Sequence, residues 1–388
     1  LGYAIGSYID NILIMVFSGR ILHNILKPMG FGLRDVFSLR IDKSVAKQSL
    51  YYGVQASMYP IVDSASRQLV FYWYVASIPG LATWEALSGA AAGIAGVVGT
   101  FGSFSLTSSI AESYSNGKKE LAEWYVTTNI KWRYFFVTPF CFGILSALPY
   151  IDVFLNTIPA LAYYQAAMIF FIPHLVVKYL DPFKQLPDYI YHGTLHITQF
   201  NILRLIEEGI EIFFVWLWLF PLNVQETGTA GIIFLVGLKT RVSVFVKTVM
   251  AYIYIQRKIL KIRVAWYSSM VIPALASVPF LVFSQVWFHA VFTPMLVATG
   301  IYFSIIVTLL FLIFVVVLVF YMPLTGILGW WSDYELFIFR QAVALSGPSK
   351  PIFKFCYRCI EWGVKYGKKL GTHEKYSIDH KLAQQQIL

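Results

Sequence analysis

Residues 301–320 read IYFSIIVTLLFLIFVVVLVF, twenty consecutive positions without a charged residue. A membrane-spanning helix needs about 20 mostly apolar residues, because the hydrocarbon core is roughly 30 Å thick and each helical residue rises about 1.5 Å. Eight further segments meet that length, at 2–24, 49–78, 84–112, 134–155, 159–180, 197–220, 228–255 and 264–288. With the last run taken as 297–322, the expected total is nine. Only 13% of the 388 residues are charged, about half the share of a soluble globular chain. The segments lack the apolar–polar alternation of a membrane β-barrel. The expected fold class is therefore all-α, a polytopic transmembrane helical bundle.

The connections between these segments alternate in charge. Residues 25–48 carry Lys27, Arg34, Arg40, Lys43 and Lys47, and residues 113–133 carry Lys118, Lys119, Lys131 and Arg133. Lys184 falls in 181–196, and Arg257, Lys258, Lys261 and Arg263 fall in 256–263. The intervening connections near 79–83, 156–158, 221–227 and 289–296 hold no Lys or Arg. Cytoplasmic loops concentrate Lys and Arg, so the basic connections and the C-terminus are expected inside, and residue 1 outside. This also absorbs the formal net charge of +10, which on a soluble chain would point to nucleic acid. No secretory leader pattern opens the chain. An odd number of spans starting outside predicts that further sequence precedes Leu1.

After residue 322 the sequence no longer reads as spanning. In PIFKFCYRCIEWGVKYGKK, the residues Ile352, Phe355, Cys359 and Trp362 fall near one helical face among Lys354, Arg358, Lys365 and Lys368. That is the pattern of a basic amphipathic helix on the inner leaflet. Cys141, Cys356 and Cys359 give no disulfide framework, and a single C-x-x-C is a poor zinc site.

Ionisable side chains inside spanning helices are costly, and they normally face the bundle interior and pair. Asp63 and Arg67 stand four apart, the spacing of a same-face ion pair. Arg204, Glu207, Glu208 and Glu211 share one face of segment 197–220. The next segment carries Lys239, Arg241 and Lys247, so the two faces could neutralise each other or wall a charged cavity. Gly89, Gly93, Gly96, Gly99 and Gly102 form a small-residue stripe of the kind that lets membrane helices approach closely.

Catalysis has no evident seat. There is no phosphate loop, no H-E-x-x-H pair and no nucleophile elbow, and the histidines are scattered. No catalytic residue, cofactor or metal is expected, and the charged spans fit a transporter better than an enzyme.

Residues 47–263 resemble the polysaccharide-exporter, oligosaccharide-lipid flippase branch of the multidrug/oligosaccharidyl-lipid/polysaccharide flippase superfamily. The resemblance is carried by SFSLTSSIAESYSNGKKELAEWYV at 103–126, PLNVQETGTAGIIFLVGLKTRV at 221–242 and YYGVQASMYPIVDSASRQLV at 51–70. It implies fourteen helices in two six-helix lobes plus two extra ones, of which this chain would hold helices six to fourteen. Residues 1–24 would then close the first lobe and 25–48 form a cytoplasmic linker. Residues 49–263 would be the second lobe, 264–322 the two extra helices, and 323–388 a basic amphipathic cytoplasmic tail. The implied work is flipping a polyprenyl-linked oligosaccharide across the plasma membrane by alternating access. Such a lipid (di)phosphate needs a cationic cavity wall, for which Arg67, Lys239 and Arg241 are the candidates; Asp63, Glu207 and Glu211 would balance charge or couple an ion. The implied partners are the bilayer, the lipid-linked glycan and envelope glycan assembly proteins. Alternatives are a multidrug or organic-cation antiporter of the same superfamily, a membrane-embedded glycosyl or glycan transferase, and a non-catalytic assembly partner.

Overall fold

The computed structural model describes residues 15, 18, 20, 27–29, 43–101, 106–238 and 241–375. Helices hold 89% of these residues, and no strand occurs among them. The chain forms two units, Leu1–Ser57 and Met58–Leu388. The described part of the first is a 3-10 turn at Lys27–Met29 and the opening of a helix, α1 (Lys43–Ser77), whose remainder belongs to the second. Most of the segment expected at 2–24 and most of the linker expected at 25–48 lie outside the described residues, and 43–48 of that linker are the first turns of α1.

The second unit continues with α2 (Leu81–Phe101), α3 (Thr107–Ser115), α4 (Lys119–Thr157), a 3-10 stretch at Pro159–Ala167, α5 (Met168–Gly193) and α6 (Ile197–Leu219). Then come α7 (Thr229–Lys258), α8 (Tyr267–Thr299), α9 (Ile301–Ile327), α10 (Asp333–Leu345) and α11 (Lys350–Leu370). Among the described residues six stretches are long and apolar enough to cross a membrane: α2, α4, Pro159–Gly193, α7, α8 and α9. The protein is thus an all-helical, membrane-type bundle. Helices α1 and α6 are long enough but fall short of that apolarity, α6 because four ionisable groups interrupt its 23 residues.

Two connections expected as basic loops are instead helix. The stretch 119–133 is the first part of α4, a continuous 39-residue helix, and 181–193 is the end of α5. Pro182 and Pro187 sit inside α5. Lys131 and Arg133, expected at the inner surface, are 0% and 2% exposed. Lys131 Nζ lies 2.6 Å from Glu335 Oε1 and 4.5 Å from the centre of the Trp330 ring. The second Glu335 oxygen accepts from the Ser332 amide at 2.8 Å, closing a capping box at the start of α10. Trp330, the ring that faces Lys131, packs in an aromatic cluster with Trp132, Phe135 and Trp331, with Trp132 and Trp330 edge to face at 5.0 Å. A lysine can be sunk here because its charge meets a carboxylate and a ring face together.

The glycine stripe of α2 is not the close seam expected of it. The buried face of α2 is Ala91, Ala95 and Val98, and a side chain at Gly89, Gly93 or Gly96 would meet nothing within 4 Å among the described residues. Gly102 lies outside those residues. The tight seam is elsewhere, where α11 crosses the last turn of α9. A Cβ on Gly363 would overlap the Pro323 carbonyl, and one on Gly367 would stand 2.7 Å from the Gly326 carbonyl oxygen. Backbone meets backbone there, so neither side can yield. Gly363→Ala is expected to cost about 1–3 kcal/mol by overpacking, whereas Gly93→Ala should be neutral or stabilising. Thermal unfolding midpoints in detergent compare the two, and equal midpoints would refute this seam.

Candidate functional site

Successive turns of α1 between residues 59 and 67 present Tyr59, Asp63, Ser66 and Arg67 to α6, where Arg204, Glu207, Glu208 and Glu211 form the facing stripe. The i, i+3, i+4 and i+7 spacing forces those four onto one side, and all four wall a common cavity of about 690 Å³ with Tyr59, Asp63, Arg67, Gln68 and Glu85. Between apolar helices such a cavity is the expected place for ionisable groups, which water or pairing must compensate.

The charges are arranged in layers. At the open side Arg67 bridges back to Asp63, Nη2 to Oδ2 at 2.8 Å and Nε to Oδ1 at 2.9 Å. The Arg67 side chain is 72% exposed, so it can reach a guest without leaving its carboxylate. Deeper, Arg204 forks between two helices, with Nη1 2.8 Å from Glu207 Oε2 and Nη2 2.8 Å from Asp188 Oδ2 on α5. Its guanidinium lies over the Tyr59 ring at 4.8 Å, which joins α1 to the same group. Lys247 of α7, 2% exposed, stands 3.5 Å from both Asp188 and Glu207. Two cations and two carboxylates from three helices thus close the floor of the site.

Glu208 stands apart from this network. It is 6% exposed, its Oε2 accepts from the Ser66 hydroxyl of α1, and no ion pair with a cation is formed by it among the described residues. A buried carboxylate beside Asp63 and Glu207 is costly to ionise. Counting only the cavity wall, Asp63, Glu85, Glu207, Glu208 and Glu211 face Arg67 and Arg204, five acids against two bases.

Of the residues singled out in the sequence, the cavity brings together Arg67, Asp63, Glu207 and Glu211. Lys239 lies outside the described residues. Arg241 is not on the cavity wall; it lies within the electrostatic reach of Asp181 and Glu211, and its buried Nε has no hydrogen-bond partner among the described residues. Asp181 belongs to a second polar group on α5, flanked by Lys178 at 3.2 Å and Lys184 at 3.0 Å. The sequence reading assigned no role to Ser66 or Asp188, and marked Glu208 only as part of the charged face of segment 197–220. Asp188 was hidden by its placement in a loop, and Ser66 by its ordinary side chain, whose partner lies 142 positions away.

One group among the described residues has metal-like spacing, the ligand atoms of Asp333, His373 and Glu374 lying within 4.8 Å of one another. Lys368 Nζ already occupies Asp333 at 3.0 Å, and His373 Nε2 stands 3.2 Å from the same oxygen. The Lys368 hydrogen bond holds the Asp333 carboxyl below its usual range. This arrangement is an ionic clasp between α10 and the end of α11.

No family model, curated protein or solved structure matches the chain. The functional reading therefore stands on the residues and their geometry.

Proposed function

We propose that the chain is a membrane transporter that moves a polyprenyl-(di)phosphate-linked oligosaccharide from the inner to the outer leaflet of the plasma membrane, as a carrier and not as a catalyst. One observation carries this reading: an approximately 690 Å³ cavity lined by seven charged side chains opens between α1 and α6 within a largely apolar bundle. Charge at such a depth is expensive unless it serves a passage or a bound guest. The exposed Arg67 guanidinium suits a lipid (di)phosphate, which it can meet in a two-pronged hydrogen bond. The surrounding carboxylates keep the empty cavity from being strongly cationic and offer sites for a coupling ion. In the nine-span layout, α1 and α6 belong to one lobe, α8 and α9 are the added pair, and the C-terminus lies in the cytoplasm.

The excess of acids favours a second reading, an organic-cation antiporter of the same superfamily, in which Glu208 and its neighbours would take the cation. A single assay separates the two. Proteoliposomes carrying a fluorescent polyprenyl-diphosphate oligosaccharide report leaflet exchange through an external quencher. Exchange should depend on the protein and slow by about 10–100-fold in Arg67→Ala, the worth of one charge-assisted hydrogen bond. Absence of exchange, with gradient-driven uptake of a lipophilic cation, would transfer the assignment to the antiporter.

A further inference from the structure

The helix α11 has three faces, and only two of them are accounted for by the fold. Cys356, Ile360, Gly363, Val364 and Gly367 are buried against the bundle, held by the glycine seam to the last turn of α9. A second face carries the charges. The third, Ile352, Phe355, Cys359, Trp362, Tyr366 and Leu370, repeats at three- and four-residue intervals and so forms one unbroken stripe. It points away from the bundle: Trp362 is 53% exposed and Leu370 66%. The stripe predicted from sequence to be the apolar face is therefore real, but the bundle does not cover it.

Charge says what does. The helix holds six basic residues, Lys350, Lys354, Arg358, Lys365, Lys368 and Lys369, against Glu361 alone, a net of +5 (6 − 1). Arg358 and Lys369 border the stripe directly, at the positions from which long side chains snorkel to phosphate groups while the helix body lies in the acyl boundary. Placement agrees. The turn Met322–Ile327 to which Gly363 and Gly367 are locked ends the most apolar span among the described residues, so the second half of α11 lies at the end of that span.

We infer that α11 is a lipid-docking helix that seats its exposed stripe in the inner leaflet and recognises anionic phospholipid headgroups through its bordering cations. Because its buried face is fixed to α9 by backbone contact, the docked helix sets the level of the last span relative to the leaflet surface. This inference rests on membrane embedding alone and is independent of the cargo.

The test uses the whole chain in nanodiscs, with a nitroxide on Cys359 in a Cys141→Ala/Cys356→Ala background. Collision of the label with oxygen and with a water-soluble nickel chelate reports its depth. In phosphatidylcholine containing phosphatidylglycerol, the oxygen-to-nickel ratio should be several-fold higher than in pure phosphatidylcholine, and added salt should reduce it. The exposed triple substitution Arg358→Gln/Lys365→Gln/Lys369→Gln should erase the dependence on phosphatidylglycerol and leave thermal stability unchanged. A label equally deep in both lipids and in the triple variant would overturn headgroup recognition. A label open to nickel in both lipids would overturn leaflet docking, and label–label broadening there would point to a second copy of the chain on the stripe.

Discussion

Lys131→Met is expected to destabilise the protein by about 3–5 kcal/mol, the cost of leaving a buried carboxylate without its cation. Glu335 is 2% exposed, and its Oε1 has the Lys131 ammonium at 2.6 Å. Removing the ammonium leaves that oxygen among tryptophans, where water has little access. The reverse change, Glu335→Gln, should be milder. It strands the Lys131 charge, but the Trp330 face still attracts it, and the glutamine oxygen can still accept from Ser332. Methionine matches the lysine stem in volume, so the single variant isolates charge from packing. The decisive comparison is Lys131→Met/Glu335→Gln. If the cost comes from an unpaired buried charge, the double variant should be more stable than Lys131→Met alone, read as a higher unfolding midpoint in detergent. A double variant at or below the single one would mean that the pair contributes through shape and not through charge.

The same residues show where sequence reasoning stops. Lys131 lay in a stretch whose basic residues were read as facing the cytoplasm, and charge counting has no means of distinguishing a solvated lysine from one sunk under a tryptophan. Glu335, which decides the matter, is 204 positions away. The spans were more legible, since the length of an apolar run is a local property set by bilayer thickness. The α6 stripe was legible for the same reason: helical spacing alone puts Arg204, Glu207, Glu208 and Glu211 on one side. Helix ends were not, because Lys and Glu extend α4 beyond the apolar run as readily as they would fill a loop, and neighbouring helices support the prolines of α5. The glycines were misjudged in a related way. Periodicity marked the α2 stripe, while the seam that needs glycine joins Gly363 and Gly367 to residues some forty positions earlier.

At the cavity floor, Arg204→Lys should fail almost as completely as Arg204→Ala. The guanidinium sends one nitrogen to Glu207 on α6 and another to Asp188 on α5, while its face rests on Tyr59 of α1. A lysine keeps the charge but is a single point; it cannot span two carboxylates and stack at once. Either variant leaves Lys247 as the one ammonium shared by Asp188 and Glu207, at 3.5 Å from each. The expected result is a loss of about 2–4 kcal/mol in stability for both, close to the cost of breaking a buried hydrogen-bonded charge pair. Transport should fall with it, since α1, α5 and α6 are no longer held at one point. Neutralising one acid as well, in Arg204→Gln/Glu207→Gln, which keeps Asp188 as the partner of the buried Lys247 ammonium, should restore stability without restoring transport. Recovery of both would demote the floor to scaffolding and leave Arg67 and Glu208 to carry the function. Full activity in Arg204→Lys would mean that positive charge is all the site requires, and that the fork geometry is incidental.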